Sequence, residues 1–261
     1  MKAGAALGAI TLFAAVGAAW TDSAVTADEI RIYCSGAPAA AVKSIAADFA
    51  KSNGARFHFT VAQPATIEHD LARGERADVV VLPMPIVSKM MAAGILRADT
   101  AVALAQVGIG VAIRAGAKPP DISSPAAIRK LLIEARSVVY PDPHSGGGSA
   151  GRAIARMIDR MGLSDVVRPK LTLKSAIGGG VALVASGQVE IGLFNASEII
   201  AVKGAMLVGL LPPELQHFIV FGAAIATGSA APGAATAFIK RLVDPKSRPA
   251  WQAAALEPAA P

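Results

Sequence analysis

Apolar and polar positions come in blocks along this chain, and the blocks switch repeatedly between a two-residue and a three-to-four-residue period. Glu29-Ile-Arg-Ile-Tyr-Cys34 and Arg56-Phe-His-Phe-Thr-Val61 alternate as strands. Between them Val42, Ile45 and Phe49 mark one helix face, entered through the turn Ser35-Gly-Ala-Pro38 with Pro38 in its first turn. Ile67 to Arg73 reads as a short helix closed by Gly74. Ala77 to Leu82 is almost wholly apolar, as in a strand covered on both faces, and Pro83 and Pro85 stop it before a helix from Ile86 to Ala93. Gly108 to Arg114 is another apolar strand. Ser124 as N-cap with Pro125 behind it opens a helix to Glu134. Strands at Val138–Tyr140, Leu171–Leu173, Glu190–Phe194, Met206–Leu211 and Phe218–Thr227 then alternate with helices ending at Gly162, Ser186, Val202 and Val243, leaving Pro249 to Pro261 as a tail. This alternation predicts an α/β fold with parallel-rich sheets, whose ligands sit at the carboxyl ends of strands.

One junction stands out chemically. In Ser137 to Arg152 a strand ends in Tyr-Pro-Asp-Pro-His-Ser-Gly-Gly-Gly-Ser, and a helix follows with Ile154, Met157, Ile158 and Met161 on one face. A glycine-rich turn into a helix start offers free backbone N–H groups and the positive end of a dipole, which suits a small anion. Ser145, Gly146, Gly147, Gly148 and Ser149 are the candidate contacts, and His144 is the titratable side chain of the loop. A nucleotide fits this loop less well, because the turn ends Gly151-Arg152-Ala153 without the Gly-Lys-Ser/Thr of a phosphate loop. The spacing Gly146, Gly148, Gly151 fits a dinucleotide fingerprint, but about 20 positions on there is no acidic residue that closes a following strand.

Composition narrows the setting. Lys2 and the apolar run from Ala3 to Trp20, followed by Val25-Thr26-Ala27, have the form of an export signal cleaved before Asp28. Residues 1–27 are therefore expected to be removed and the mature protein to be periplasmic, with no stable membrane insertion. Cys34 is the single cysteine, so neither a disulfide nor a cysteine metal cluster can form. A net charge of +6 suits an anionic ligand, but scattered basic residues with two Trp and two Tyr give no nucleic-acid surface. No catalytic elbow, zinc motif or close His pair is present, and no metal or cofactor is expected.

Several local motifs carry a family likeness. They are Ala77-Asp-Val79, the helix end Met90-Met-Ala-Ala-Gly94, Asp142-Pro143 before the Gly-rich loop, Gly151-Arg152, Gly187-Gln-Val-Glu-Ile-Gly192, Ser197-Glu198 and Val208-Gly-Leu-Leu-Pro-Pro-Glu-Leu-Gln216. In these the chain resembles the type II periplasmic solute-binding proteins, and in particular their molybdate-binding branch. The resemblance spans residues 29–258 and implies two α/β lobes with an interlobe cleft. Lobe I is expected to comprise residues 28–107 and 207–261, and lobe II residues 108–206. It implies a small anionic ligand, a monomer, and an ABC permease as the kind of partner such proteins serve. It also implies a ligand site made of Ser35, Gly36, Ala37, Gln63, the 145–149 loop, Val181 and Asn195. Molybdate binders of this branch carry a serine where Ala37 stands, a Ser-Ser pair at Gln63-Pro64 and a tyrosine at Asn195. Fewer hydroxyl donors favour an organic acid over molybdate. The same branch includes an aconitate isomerase, so the alternative reading is an allylic proton shift on a tricarboxylate. His144 is then the first candidate base and Glu198 the second.

Overall fold

The computed structural model describes Met1, residues 29–144 and residues 148–259. Residues 2–28, which carry most of the expected signal peptide, lie outside the described residues, as do Ser145, Gly146 and Gly147 of the anion-loop candidate.

The chain begins with β1 (Glu29–Cys34), α1 (Gly36–Asn53), β2 (Arg56–Val61), α2 (Pro64–Ala72), β3 (Val79–Pro83), α3 (Met84–Ala92) and β4 (Val102–Val107). It crosses into β5 (Ile109–Arg114), α4 (Pro125–Glu134), β6 (Val138–Tyr140), α5 (Gly148–Arg160), α6 (Ser164–Val167), β7 (Leu171–Leu173), α7 (Gly180–Ala185), β8 (Ile191–Asn195), α8 (Ala196–Ile200) and β9 (Ala205–Leu210). It returns through β10 (Ile219–Ile225), α9 (Pro232–Val243), α10 (Arg248–Ala253) and β11 (Glu257–Pro258). Two sheets result, ordered β11-β4-β10-β3-β1-β2 and β7-β6-β8-β5-β9.

Each sheet is mixed. Its parallel part comes from βαβ units, and its antiparallel part comes from strands next to a crossing between the sheets. In the first sheet Cys34 is level with both Val61 and Val81, so β1, β2 and β3 finish together and the residues after them share one edge. In the second, Tyr140 is level with Leu173 and Val139 with Gly192, with the same consequence for β6, β7 and β8. Both crossing segments are tied at Gln216. Ile109 N–H donates to its Oε1 at 2.8 Å, and its Nε2 donates to Ile109 O at 3.0 Å.

Both sheets are covered on two faces, as the apolar runs required. Val79 and Val81 pack toward Phe49, Phe238 and Trp251, while Val80 and Leu82 of the same strand pack toward Ile67, Val87 and Met90. Ser124 caps α4 as expected, its hydroxyl accepting from Ala127 N–H.

Three expectations need correction. The boundary placed at 206/207 falls inside β9, which pairs with β5, so the return to the first sheet lies between Leu210 and Ile219. Val102–Val107, not assigned from the sequence, is a full strand that holds β10 on one side and β11 on the other. The segment after Pro249 is no loose tail. Pro249 sits in the first turn of α10, where a missing N–H costs nothing, and Trp251 is buried. Among the described residues no helix is long and apolar enough to cross a membrane.

Candidate functional site

The aligned strand ends create a cavity between the two sheets, with about 450 Å³ of space counting its opening to solvent. From the first sheet come Ser35, Gly36 and Ala37 after β1, Gln63 and Pro64 after β2, Pro83 at the end of β3, and Ile219 and Phe221 of β10. From the second come Pro141 after β6, Ser149 and Ala150 at the start of α5, Ser175, Ala176 and Ile177 after β7, and Asn195 and Glu198 at the junction of β8 with α8. Carboxyl ends of strands thus face one another, the position open α/β sheets use for ligands. A wider groove of about 920 Å³ runs beside β4 and α10, but its polar side chains, Asp244 and Arg248, are not buried.

Close packing draws these walls together. A Cβ on Gly151 would strike the Pro141 carbonyl, so only glycine lets α5 approach the end of β6 and bring Ser149 inward. Gly36 plays the matching part between the lobes. A Cβ there would lie 2.9 Å from Ile177 Cγ1 and 3.2 Å from Glu198 Oε1.

The cavity is polar without being basic. No Lys, Arg or His lines it among the described residues, and Glu198 is its one ionisable side chain. Ser35 is buried, and its hydroxyl leans toward Val81 O at 3.4 Å. Ser175 is partly committed, its Oγ accepting from Gly178 N–H at 3.0 Å. Asn195 is 6% exposed; its Nδ2 donates to Glu198 Oε2 at 3.0 Å and its Oδ1 has no partner in the protein. Glu198 keeps part of its surface open, yet protein atoms crowd its carboxyl. That desolvation pushes its pKa up to about 7, against the opposite pull of the side-chain and backbone N–H groups of Asn195. Were Glu198 ionised, an incoming carboxylate about 4 Å away would meet a repulsion of about 4 kcal/mol at an effective dielectric near 20.

The structure therefore brings together Ser35, Gly36, Ala37, Gln63, Ser149, Asn195 and Glu198. It places Gly148 at the first position of α5, while Ser145, Gly146 and Gly147 are outside the described residues. Val181 does not line the cavity. It is fully buried with Ala112, Val139, Val184 and Phe194 behind the cavity wall. The residues of that segment that do face the cavity are Ser175, Ala176 and Ile177, one loop earlier. Their signal was present in the sequence, because Leu171–Leu173 running into Gly178-Gly-Gly180 repeats the strand, glycine turn and helix order of the 137–152 junction. His144 is exposed and absent from the cavity wall, with its backbone N–H donating to Asp142 Oδ1 at 2.8 Å. The order of the two base candidates is thus reversed in favour of Glu198. Arg152 is exposed and likewise does not reach the cavity. Among the described residues no group of three or more His, Cys, Asp or Glu could hold a metal ion.

Comparison with known proteins agrees with this architecture. Residues 30–256 match the family model described as "Bacterial extracellular solute-binding protein". The chain belongs to that family. It is similar to the aconitate isomerase of a Pseudomonas species, with 30% identity over 234 residues that cover 88% of this chain and 87% of the relative. It is also similar to the molybdate-binding protein ModA of Escherichia coli K12, with 25% identity over 227 residues covering 85% and 84%. In three dimensions the periplasmic molybdate-binding protein of Azotobacter vinelandii superposes with a TM-score of 0.74 at 18% identity, over 89% of this chain and 99% of the other. This solute-binding protein thus stands in the molybdate-binding-like branch, whose members work outside the cytoplasm.

Proposed function

We propose that this solute-binding protein captures a small organic acid anion in the cavity between its lobes and hands it, as a monomer, to an ABC-type permease. Export would be followed by cleavage near Ala27. The observation carrying the ligand class is the cavity lining. A fully charged oxyanion such as molybdate depends on a cation or on many neutral hydrogen-bond donors, and this wall has Ala37, Gln63-Pro64 and Asn195 where the molybdate binders it resembles carry hydroxyls. A flexible carboxylic acid can combine the amides of Gln63 and Asn195 with the hydroxyl of Ser149 and rest its carbon skeleton on Pro64, Ile177 and Phe221. A thermal-shift screen tests this, since a bound ligand raises the melting temperature by mass action. Di- and tricarboxylates should stabilise the protein, while molybdate and sulfate should leave it unchanged. Molybdate binding tighter than micromolar by calorimetry would contradict the proposal.

Gly36 supplies a second check. Gly36→Ala should weaken carboxylate binding by about tenfold, in line with an overpacking cost of ~1–3 kcal/mol that falls on the contact between the lobes. The melting temperature without ligand should hardly move. Equal loss of both would show that Gly36 serves folding rather than closure.

One observation favours the isomerase reading as a second possibility. Glu198 lines the cavity with a pKa near neutrality, which matches a carboxyl that takes and returns a proton. Incubation with cis-aconitate and NMR detection of the trans isomer decides it. Enzyme-dependent appearance of that isomer makes the protein an isomerase, and its absence leaves a binding protein.

A further inference from the structure

We propose that the cavity takes up its anion together with one proton, which Glu198 holds, and that Asn195 turns its amide to accept the Glu198 O–H. The inference rests on the organic-acid reading and adds the means by which a wall that shows no cation among the described residues tolerates negative charge.

Three features of the structure carry it. First, the one ionisable side chain in the described wall is an acid, so anion entry with Glu198 ionised would place like charges together in a poorly solvated space. Second, Asn195 is held by that acid in the wrong sense for an anion. Its Nδ2 is spent on Glu198 Oε2, and the atom left without a partner is the acceptor Oδ1. Third, the exchange conserves every bond. A protonated Glu198 donates its O–H to the Oδ1 of the turned Asn195 amide, in place of accepting from Nδ2. The buried Oδ1 gains the partner it lacks, and the proton comes from water and returns there on release.

No other group takes this role. Of the elements packed on α8, helix α1 bears Lys43, Asp48 and Lys51, all exposed, and β5 bears Arg114 at its exposed far end; β8 and β9 carry no charge. Among the segments that meet the cavity, Lys174, His144 and Arg152 are exposed, and none of them or Asp142 lines it. None of these residues pairs with Glu198 in an ion pair. The near-neutral acidity of Glu198 places the effect in a measurable pH range.

The test uses tricarballylate, a tricarboxylate without a double bond, so that binding is read without turnover. Calorimetry at pH 8 in two buffers of different ionisation enthalpy should show uptake of close to one proton per molecule bound. Affinity should fall by about tenfold from pH 6 to pH 8, as the competent fraction falls. Glu198→Gln should bind with no such loss, once any change shared with wild type is assigned to ionisation of the ligand itself. The proton count is made on the wild-type protein and stands even if the variant folds poorly. Binding without proton uptake, or an equal pH dependence in Glu198→Gln, overturns the proposal and leaves the organic-acid reading intact. If tricarballylate, citrate and succinate all fail to bind at either pH, both are overturned.

Discussion

Replacing Trp251 with alanine is expected to destabilise the protein by about 3–5 kcal/mol, the usual cost of emptying a large buried aromatic site. Trp251 is 1% exposed and shares a core with Ile30, Ile32, Phe49 and Phe238. Its indole N–H donates to Leu242 O at 3.0 Å, so the side chain clamps α10 to the end of α9 and covers the first sheet. Truncation leaves both a cavity and a buried carbonyl without its donor. Chemical denaturation followed by circular dichroism gives the number. Trp251→Phe should recover most of the packing while still losing the hydrogen bond. A loss below about 1 kcal/mol for the alanine variant would mean that the C-terminal segment is an accessory to the fold and not part of its core.

Asp78→Ala should cost about 2–4 kcal/mol at neutral pH, because three backbone N–H groups and one hydroxyl would lose a shared acceptor. Arg31 N–H donates to Oδ2 at 2.8 Å, while Ser229 Oγ, Ala230 N–H and Ala231 N–H donate to Oδ1 at 2.6, 2.9 and 3.1 Å. These bonds join β1 to the chain entering α9. Burial by itself would raise the pKa of this carboxyl, but the four donors outweigh it and hold Asp78 below the usual carboxylate range. The folded pKa is lowered, so the stabilisation is complete above the unfolded value of about 3.9 and is lost as pH falls through the folded value. Denaturation curves of wild type and Asp78→Ala should therefore be far apart at pH 7 and converge in strong acid. A gap that stays constant with pH would show that Asp78 acts by shape and not by its charge.

These two positions differ in how plainly the sequence announced them. Asp78 stood in an apolar run, where a lone acid is an anomaly that has to be paid for by partners, although nothing local named Ser229 or Ala230. Trp251 lay behind Pro249 among alanines, and that composition reads as a terminus; only its distance from α1 in space makes it core. The cavity shows the same division. Ser35, Gly36, Ala37, Gln63 and Asn195 were legible through the family resemblance, and each stands at a strand end, where α/β folds keep ligands. Ser149 was legible from the glycine turn before a helix. Val181 was misplaced by one loop, since a short apolar helix start and a loop residue cannot be told apart when β7 is three residues long. His144 drew attention as a titratable residue in a glycine loop, yet whether such a side chain turns into a cleft depends on packing that no local pattern records.

What the sequence determined by itself was the succession of strands and helices and the strand ends at which a cavity could form. Each depends on interactions between residues a few positions apart, or on residue type alone. Tertiary structure decided the antiparallel insertion of β5 and β10, the return boundary after Leu210, and the strand pairing of Val102–Val107. It also decided the character of Glu198. A glutamate three residues into a helix reads as an ordinary aid to the helix dipole. It becomes a near-neutral acid because α1, with Gly36 at its start, closes over it from the other lobe and removes its water. Desolvation is set by what surrounds a group from every direction, and those neighbours come from segments separated by more than a hundred residues.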